Sequence, residues 1–253
     1  MSKQGEIDYP DRIGAGGRAH LRGKPFTDPA CSTMLIAMGA VIGALPPAPA
    51  DVLDCGVGGG WTSRFLARAG YRVVGIDISP KMLELAEEDR VADGLANLSF
   101  QLAEYETLDF RERFDAVVFF DSLHHAADER AAVAAAARAL RPGGVLVTHE
   151  PGEGHAASEV GRQAMAQWDV TEKDMPPRLI ISMGEAAGLR LKRLLPNPSA
   201  VERVVFARPM APPDAWKLAS RFIRLAGFVK MLFIGAKRRT AIVVMEKIRH
   251  SDG

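Results

Sequence analysis

The residues best placed to do chemistry lie in one stretch, 52–79, VLDCGVGGGWTSRFLARAGYRVVGIDIS. Asp54 ends an apolar run, Gly56 and Gly58 open a glycine-dense turn, and Asp77 ends a second apolar run 21 residues beyond Gly56. Glycines let a backbone turn sharply and approach a ligand with no side chain in the way. An acid about 20 residues further on suits the hydroxyls of a ribose. The chemistry predicted is therefore the holding of an adenosine-type ligand. Four of the six histidines, His124, His125, His149 and His155, follow two further apolar runs, where a group titrating near neutrality could take a proton.

These residues need a sheet edge to bring them together. Apolar runs predict strands at Asp51–Cys55, Arg72–Asp77, Leu98–Leu102, 116–121, 145–149, Leu189–Leu195 and 240–246. Helical patterns alternate with them. One starts near Thr62 or Ser63 and ends at Gly70, one follows Ser79 and Pro80, and one is alanine-rich over 128–140. Such alternation predicts a mostly parallel, doubly wound α/β sheet, with ligands bound at the carboxyl ends of the strands. Residues 1–48 are expected to form an N-terminal lid or cap, with 32–45 as a buried helix. Residues 49–253 form the main domain, with acceptor-side insertions at 151–175 and 197–239. In the lid, His20, Arg22 and Lys24 are either an active-site cover or part of a basic tail.

The details of the turn separate two ligand classes. A dinucleotide fingerprint anchored on Gly56 and Gly58 needs glycine where this chain has Trp61. Asp54 beside the turn would repel a pyrophosphate and could help hold an ammonium. With VLDCGVGGG, VVGIDIS, LAEYETLDF, FDAVVFFDSLHH and LRPGGVLVTHE in this order over about residues 50 to 150, the chain resembles the class I S-adenosylmethionine-dependent methyltransferases. The resemblance implies a Rossmann-like seven-stranded sheet whose last strand runs antiparallel between the fifth and sixth. It also implies S-adenosyl-L-methionine as cofactor. Asp54, Gly56 and Gly58 would hold its methionine end, Asp77 its ribose, and Ile78 one face of the adenine. Ala103 would donate its main-chain N–H to the ring, and Glu104 would lie near the adenine amino group. Asp121 would approach the cofactor or the acceptor.

Methyl transfer to a hydroxyl calls for alignment, exclusion of water and a proton acceptor. His149 is the expected base, with His125 and Asp121 as the other catalytic candidates and a packing role open for His124 and His125. The run HEPGEGH (149–155) lacks the spacing of the zinc-protease helix, and no metal ligand is assigned. Together with VTEKDMPPRLI and HLRGKPF it resembles bacterial methyltransferases associated with glycosyltransferases. That implies O-methylation of a sugar, glycan or related polar metabolite as part of polysaccharide biosynthesis. A small-molecule N-methyltransferase and a non-enzymatic scaffold of a glycan-assembly complex are the alternatives.

Bulk properties narrow the field. With 253 residues, 47% hydrophobic, 25% charged and a formal net charge of +1, the chain reads as globular and as no general nucleic-acid binder. Cys31 and Cys55 make no disulfide framework. The opening residues are polar, so a cytoplasmic location is expected. Residues 215–239 carry seven Lys or Arg and no acid, interleaved with aromatics. Such a segment suits either the inner face of a membrane or a cap packed on the domain or on a second copy in a homodimer.

Overall fold

The structure is a computed structural model and describes residues 3–196, 198–202, 226 and 242–249. Helices α1 (Gln4–Arg12), α2 (Gly14–Gly23) and α3 (Cys31–Ile42) lead into β1 (Asp51–Cys55), α4 (Trp61–Arg68), β2 (Arg72–Asp77), α5 (Pro80–Ala92) and β3 (Leu98–Leu102). There follow β4 (Phe114–Phe120), α6 (Glu129–Ala139), β5 (Leu140–His149), α7 (Glu159–Trp168), α8 (Pro177–Ala186), β6 (Leu189–Leu195), the short α9 (Pro198–Val201) and β7 (Ile242–Lys247). Among the described residues seven strands form one sheet in the order β3-β2-β1-β4-β5-β7-β6. The first five are parallel, and β7 runs antiparallel to both β5 and β6, as the motif order implied.

Both faces of the sheet are covered, which is why its central strands are near-continuous apolar runs. On one face α6 brings Ala132, Ala135, Ala136 and Ala139 against Leu53, Val117, Phe119 and Leu146, all fully buried. The small side chains let that helix lie close to the strands. On the other face Ala37, Met38 and Val41 of α3 meet Val52, Val118, Val147 and Val244. Asp128 caps α6 by accepting from the Ala131 N–H at 2.9 Å, and Ser158 caps α7 through the Gly161 N–H at 3.0 Å.

Several expected boundaries shift. Helix α4 starts at Trp61 behind a left-handed Gly60 (φ 78°), because the Thr62 and Ser63 hydroxyls donate to Asp54 instead of capping. Strand β4 stops at Phe120 and leaves Asp121 in the left-handed region (φ 50°). Strand β5 begins at Leu140, its backbone running through the Pro142–Gly144 turn signal. The polar N-terminal residues form two helices, and the long segment before α8 contains α7. Apart from residue 226 the basic 215–239 segment lies outside the described residues, as does most of 197–239. No described helix is long and apolar enough to cross a membrane.

Candidate functional site

A cavity of about 540 Å³ opens where β1, β2 and β4 end, within the usual size of small-molecule sites. Its floor is the turn after β1. Gly56 has φ 71° and donates its N–H to the Ile76 carbonyl at 2.8 Å; a Cβ there would lie 2.6 Å from that of Ser122. Gly58 also has positive φ (50°), and no protein atom lies near the place of its missing Cβ, so its backbone borders open cavity. Its N–H donates to Asp77 Oδ2 at 2.8 Å, while Ser79 N–H donates to Oδ1 at 2.9 Å. Two main-chain donors thus aim the Asp77 carboxylate at the cavity, next to Ile78 and Met82. Burial pushes its carboxyl upward, and the two N–H donors oppose the shift without cancelling it.

Other expected cofactor contacts fall elsewhere. Asp54 is 1% exposed and does not line the cavity; its Oδ2 accepts from Thr62 Oγ1 at 2.7 Å and Ser63 Oγ at 2.6 Å. Burial raises its carboxyl to about 6 against the pull of the two hydroxyls. It therefore ties β1 to α4 from behind the cavity wall. The Ala103 N–H is spent on the Asp77 carbonyl at 3.1 Å, as parallel pairing of β2 and β3 extends one step past their ends. Glu104 turns outward and pairs with Lys3 Nζ at 2.6 Å. The neighbour that does face inward is Tyr105, whose hydroxyl donates to the Ser122 carbonyl at 3.2 Å.

Across the cavity Asp121 faces inward, and its Oδ1 lies 3.1 Å from His149 Nδ1, an ion-pair separation without hydrogen-bond alignment. Desolvation opposes charge on the buried His149, and also on Asp121 although 45% of that side chain is exposed. The pairing outweighs it, lowering the Asp121 carboxyl and raising the His149 imidazole. His149 itself does not border the cavity. It stacks beneath Phe120, with ring centroids 4.6 Å apart, so the expected base stands one residue behind the wall.

His125 does reach the cavity. Its Nδ1 lies 2.6 Å from the Thr171 carbonyl and 3.5 Å from Glu6 of α1. Burial disfavours its charge, but Glu6, Glu172 and the Thr171 carbonyl overcome this and raise the imidazole to about 9. His124 is buried behind it, its Nδ1 2.7 Å from Glu150. The two ends of HEPGEGH share no partner: His149 meets Asp121, whereas His155 meets Glu172 at 2.6 Å.

The remaining walls come from segments distant in sequence. Tyr9 and Leu21 of α1 and α2, Lys24, and Met34 of α3 cover one side; Val160, Ala164 and Trp168 of α7 close another. Tyr9 and Trp168 meet edge to face at 6.1 Å, and Trp61 meets Phe120 likewise at 5.1 Å. The polar pattern of 1–26 gave a lid signal in sequence, and Trp61 stood out as the departure from the glycine fingerprint. The 151–175 insertion was expected on the acceptor side, but its sequence gave no sign of helix α7.

Residues 53–148 match a family model described as a methyltransferase domain. They form a methyltransferase domain. The chain is 36% identical over 104 residues to the ubiquinone biosynthesis O-methyltransferase of Xanthomonas axonopodis pv. citri (strain 306), covering 40% of this chain and 43% of that protein. It is 38% identical over 101 residues to the demethylmenaquinone methyltransferase of Tropheryma whipplei (strain Twist), covering 40% and 41%. The match thus spans less than half the length of these relatives. The methyltransferase fold extends further. Phosphoethanolamine N-methyltransferase 2 of Haemonchus contortus, solved with S-adenosyl-L-methionine, superposes with a TM-score of 0.67 at 20% identity, covering 98% of this chain and 60% of that one. The [4+2]-cyclase SpnF superposes at 0.60 and 19% identity, covering 84% and 80%. The methyltransferase domain's glycine turn, its open space at Gly58 and the inward Asp77 fit an adenosyl group: main chain can approach it, and a carboxylate can accept from a vicinal diol.

Proposed function

We propose that the chain is an S-adenosylmethionine-dependent O-methyltransferase acting on a small acceptor with a planar, apolar body. The observation that carries this reading is the composition of the cavity. A turn and acid suited to an adenosyl group share one space with Met34, Trp61, Phe120, Val160 and Trp168. Those side chains can pack on a phenolic or quinol-like ring while Glu6, Lys24 and Gln163 of the same cavity meet its polar substituents, and the two quinone-pathway relatives favour such a ring over the sugar expected from HEPGEGH.

S-adenosylmethionine, when bound, supplies an electrophilic sulfonium methyl group. The protein's part is to hold, orient and exclude water. Asp77 accepts from the ribose hydroxyls, and Gly56 and Gly58 allow close main-chain approach. Trp61 and Phe120 keep one wall dry. Asp121, held in place by His149 behind it, accepts a hydrogen bond from the acceptor hydroxyl and takes its proton as the oxygen–methyl bond forms, when that oxygen has become acidic enough for a carboxylate held low to accept it. This moves the expected base from His149 to Asp121.

The test is transfer of a labelled methyl group from the cofactor to panels of phenols and hydroquinones, sugars and nucleotide sugars, and amines. Turnover is expected on the phenolic panel. Turnover confined to sugars restores the glycan reading, turnover confined to amines favours N-methylation, and cofactor binding with no transfer to any panel supports the scaffold alternative.

A further inference from the structure

We propose that His124, His125 and Glu172 form a binding site for one divalent ion of the zinc, cobalt or nickel type. Each of the three offers one ligand atom, and these atoms lie within 4.8 Å of one another. His124 Nε2 is 3.4 Å from Glu172 Oε2. That is close to the roughly 3.3 Å separating two ligands placed about 2.0–2.1 Å from a tetrahedral ion. Two imidazoles and one carboxylate suit a borderline transition metal, whereas magnesium and calcium prefer all-oxygen sets.

The atoms behind this cluster are arranged as they are behind metal-binding histidines. Such a ring normally gives its other nitrogen to a carboxylate or a main-chain carbonyl, which fixes its orientation. His124 Nδ1 donates to Glu150 Oε2 at 2.7 Å, and His125 Nδ1 donates to the Thr171 carbonyl at 2.6 Å. That leaves Nε2 of each ring free of these partners and turned toward the cluster, and metal binding would displace the proton that His125 otherwise holds there. Glu150 is itself immobilised: it accepts the main-chain N–H groups of Ser122, Leu123 and His124, the turn that carries both histidines. His155 Nε2, 2.6 Å from Glu172 Oε2, orients the third ligand. His125 and Glu172 border the cavity, so open coordination positions would face the space assigned to the acceptor.

The metal-stripped full chain, titrated with Co2+ and followed by visible absorption, reads the site directly. Zn2+ is measured in competition with a chromophoric chelator, and neither assay depends on methyl transfer. One equivalent of metal per chain is expected. His125→Gln and Glu172→Gln should each weaken Zn2+ binding by at least about tenfold, and Glu150→Gln by about 10–100-fold. His20→Gln, which alters a histidine paired with Asp28 away from the cluster, should leave it unchanged. Thermal unfolding without metal identifies any variant that fails to fold, and the wild-type titration stands regardless. A wild-type chain that takes up neither ion, or folded His125 and Glu172 variants that bind as tightly as wild type, overturns the assignment.

Discussion

The two halves of the cavity are built differently. The half around Gly56, Gly58 and Asp77 is made within 24 residues, by main-chain groups and one carboxylate that two N–H groups aim. The opposite half gathers Glu6, Lys24, Met34, Trp168 and Glu172 from four separated segments, and its contacts are made by side chains. A contiguous, backbone-built half leaves little freedom for variation. A half assembled from loops and added helices can change acceptor without disturbing the sheet, which is how one fold hosts different activities.

If that division holds, substitutions on the two sides should separate cleanly. The largest effect is expected at Asp121. Asp121→Asn should lower kcat about 10²–10⁴-fold, the usual worth of a positioned proton acceptor, with cofactor affinity nearly preserved; single-turnover rates and calorimetry check this. Asp77→Ala acts on the other half and should weaken S-adenosylhomocysteine binding by about 1.5–3 kcal/mol. An unchanged affinity would place the ribose elsewhere.

Asp54, the second strand-end acid, should affect stability instead of binding. Its folded carboxyl keeps a proton up to about pH 6, against 3.8 for the ordinary group. The stability it contributes is therefore full below 3.8 and is lost as pH rises through 6. Asp54→Asn should raise stability at pH 7–8 by on the order of 2 kcal/mol and flatten its pH dependence between about 4 and 6. Denaturant unfolding at both pH values reads this directly. The smallest effect is expected from His149→Gln. It removes a partner of Asp121 from behind the cavity wall and should slow turnover about tenfold, or 1.4 kcal/mol. A loss as large as that of Asp121→Asn would make the pair a single proton-accepting unit.

Local signals made the sheet legible. Each strand that ends at the cavity is an apolar run, and Ser79–Pro80 and Asp128 mark helix starts within a residue. The half around Gly56, Gly58 and Asp77 was legible for the same reason: turn, acid and spacing belong to one short segment. Errors arose where a side chain had a partner that spacing does not reveal. Thr62 and Ser63 look like helix caps, yet they serve Asp54. Ala103 and Glu104 have the right position after β3, but Asp77 and Lys3 take their polar groups, and Tyr105 turns inward instead. His149 ends a strand at the correct edge, but the left-handed turn at Asp121 puts the carboxylate in front of it. The acceptor half depends on where α1, α2 and α7 dock, which no periodicity encodes.

The cover formed by α1 and α2 is fastened at its rim mainly by charge. Lys3 meets Glu104 and Glu106, Asp11 meets Lys81, and Arg22 meets Glu88 and Asp89. Exposed pairs of this kind contribute little to equilibrium stability and are weakened further by salt. If the cover lifts to release a bound molecule, their effect falls on timing: they would help set its dwell time inside. Raising ionic strength should shorten that dwell time while the glycine turn and Asp77 go on gripping as before, so the exit rate is the part of the cycle most exposed to the surrounding electrolyte.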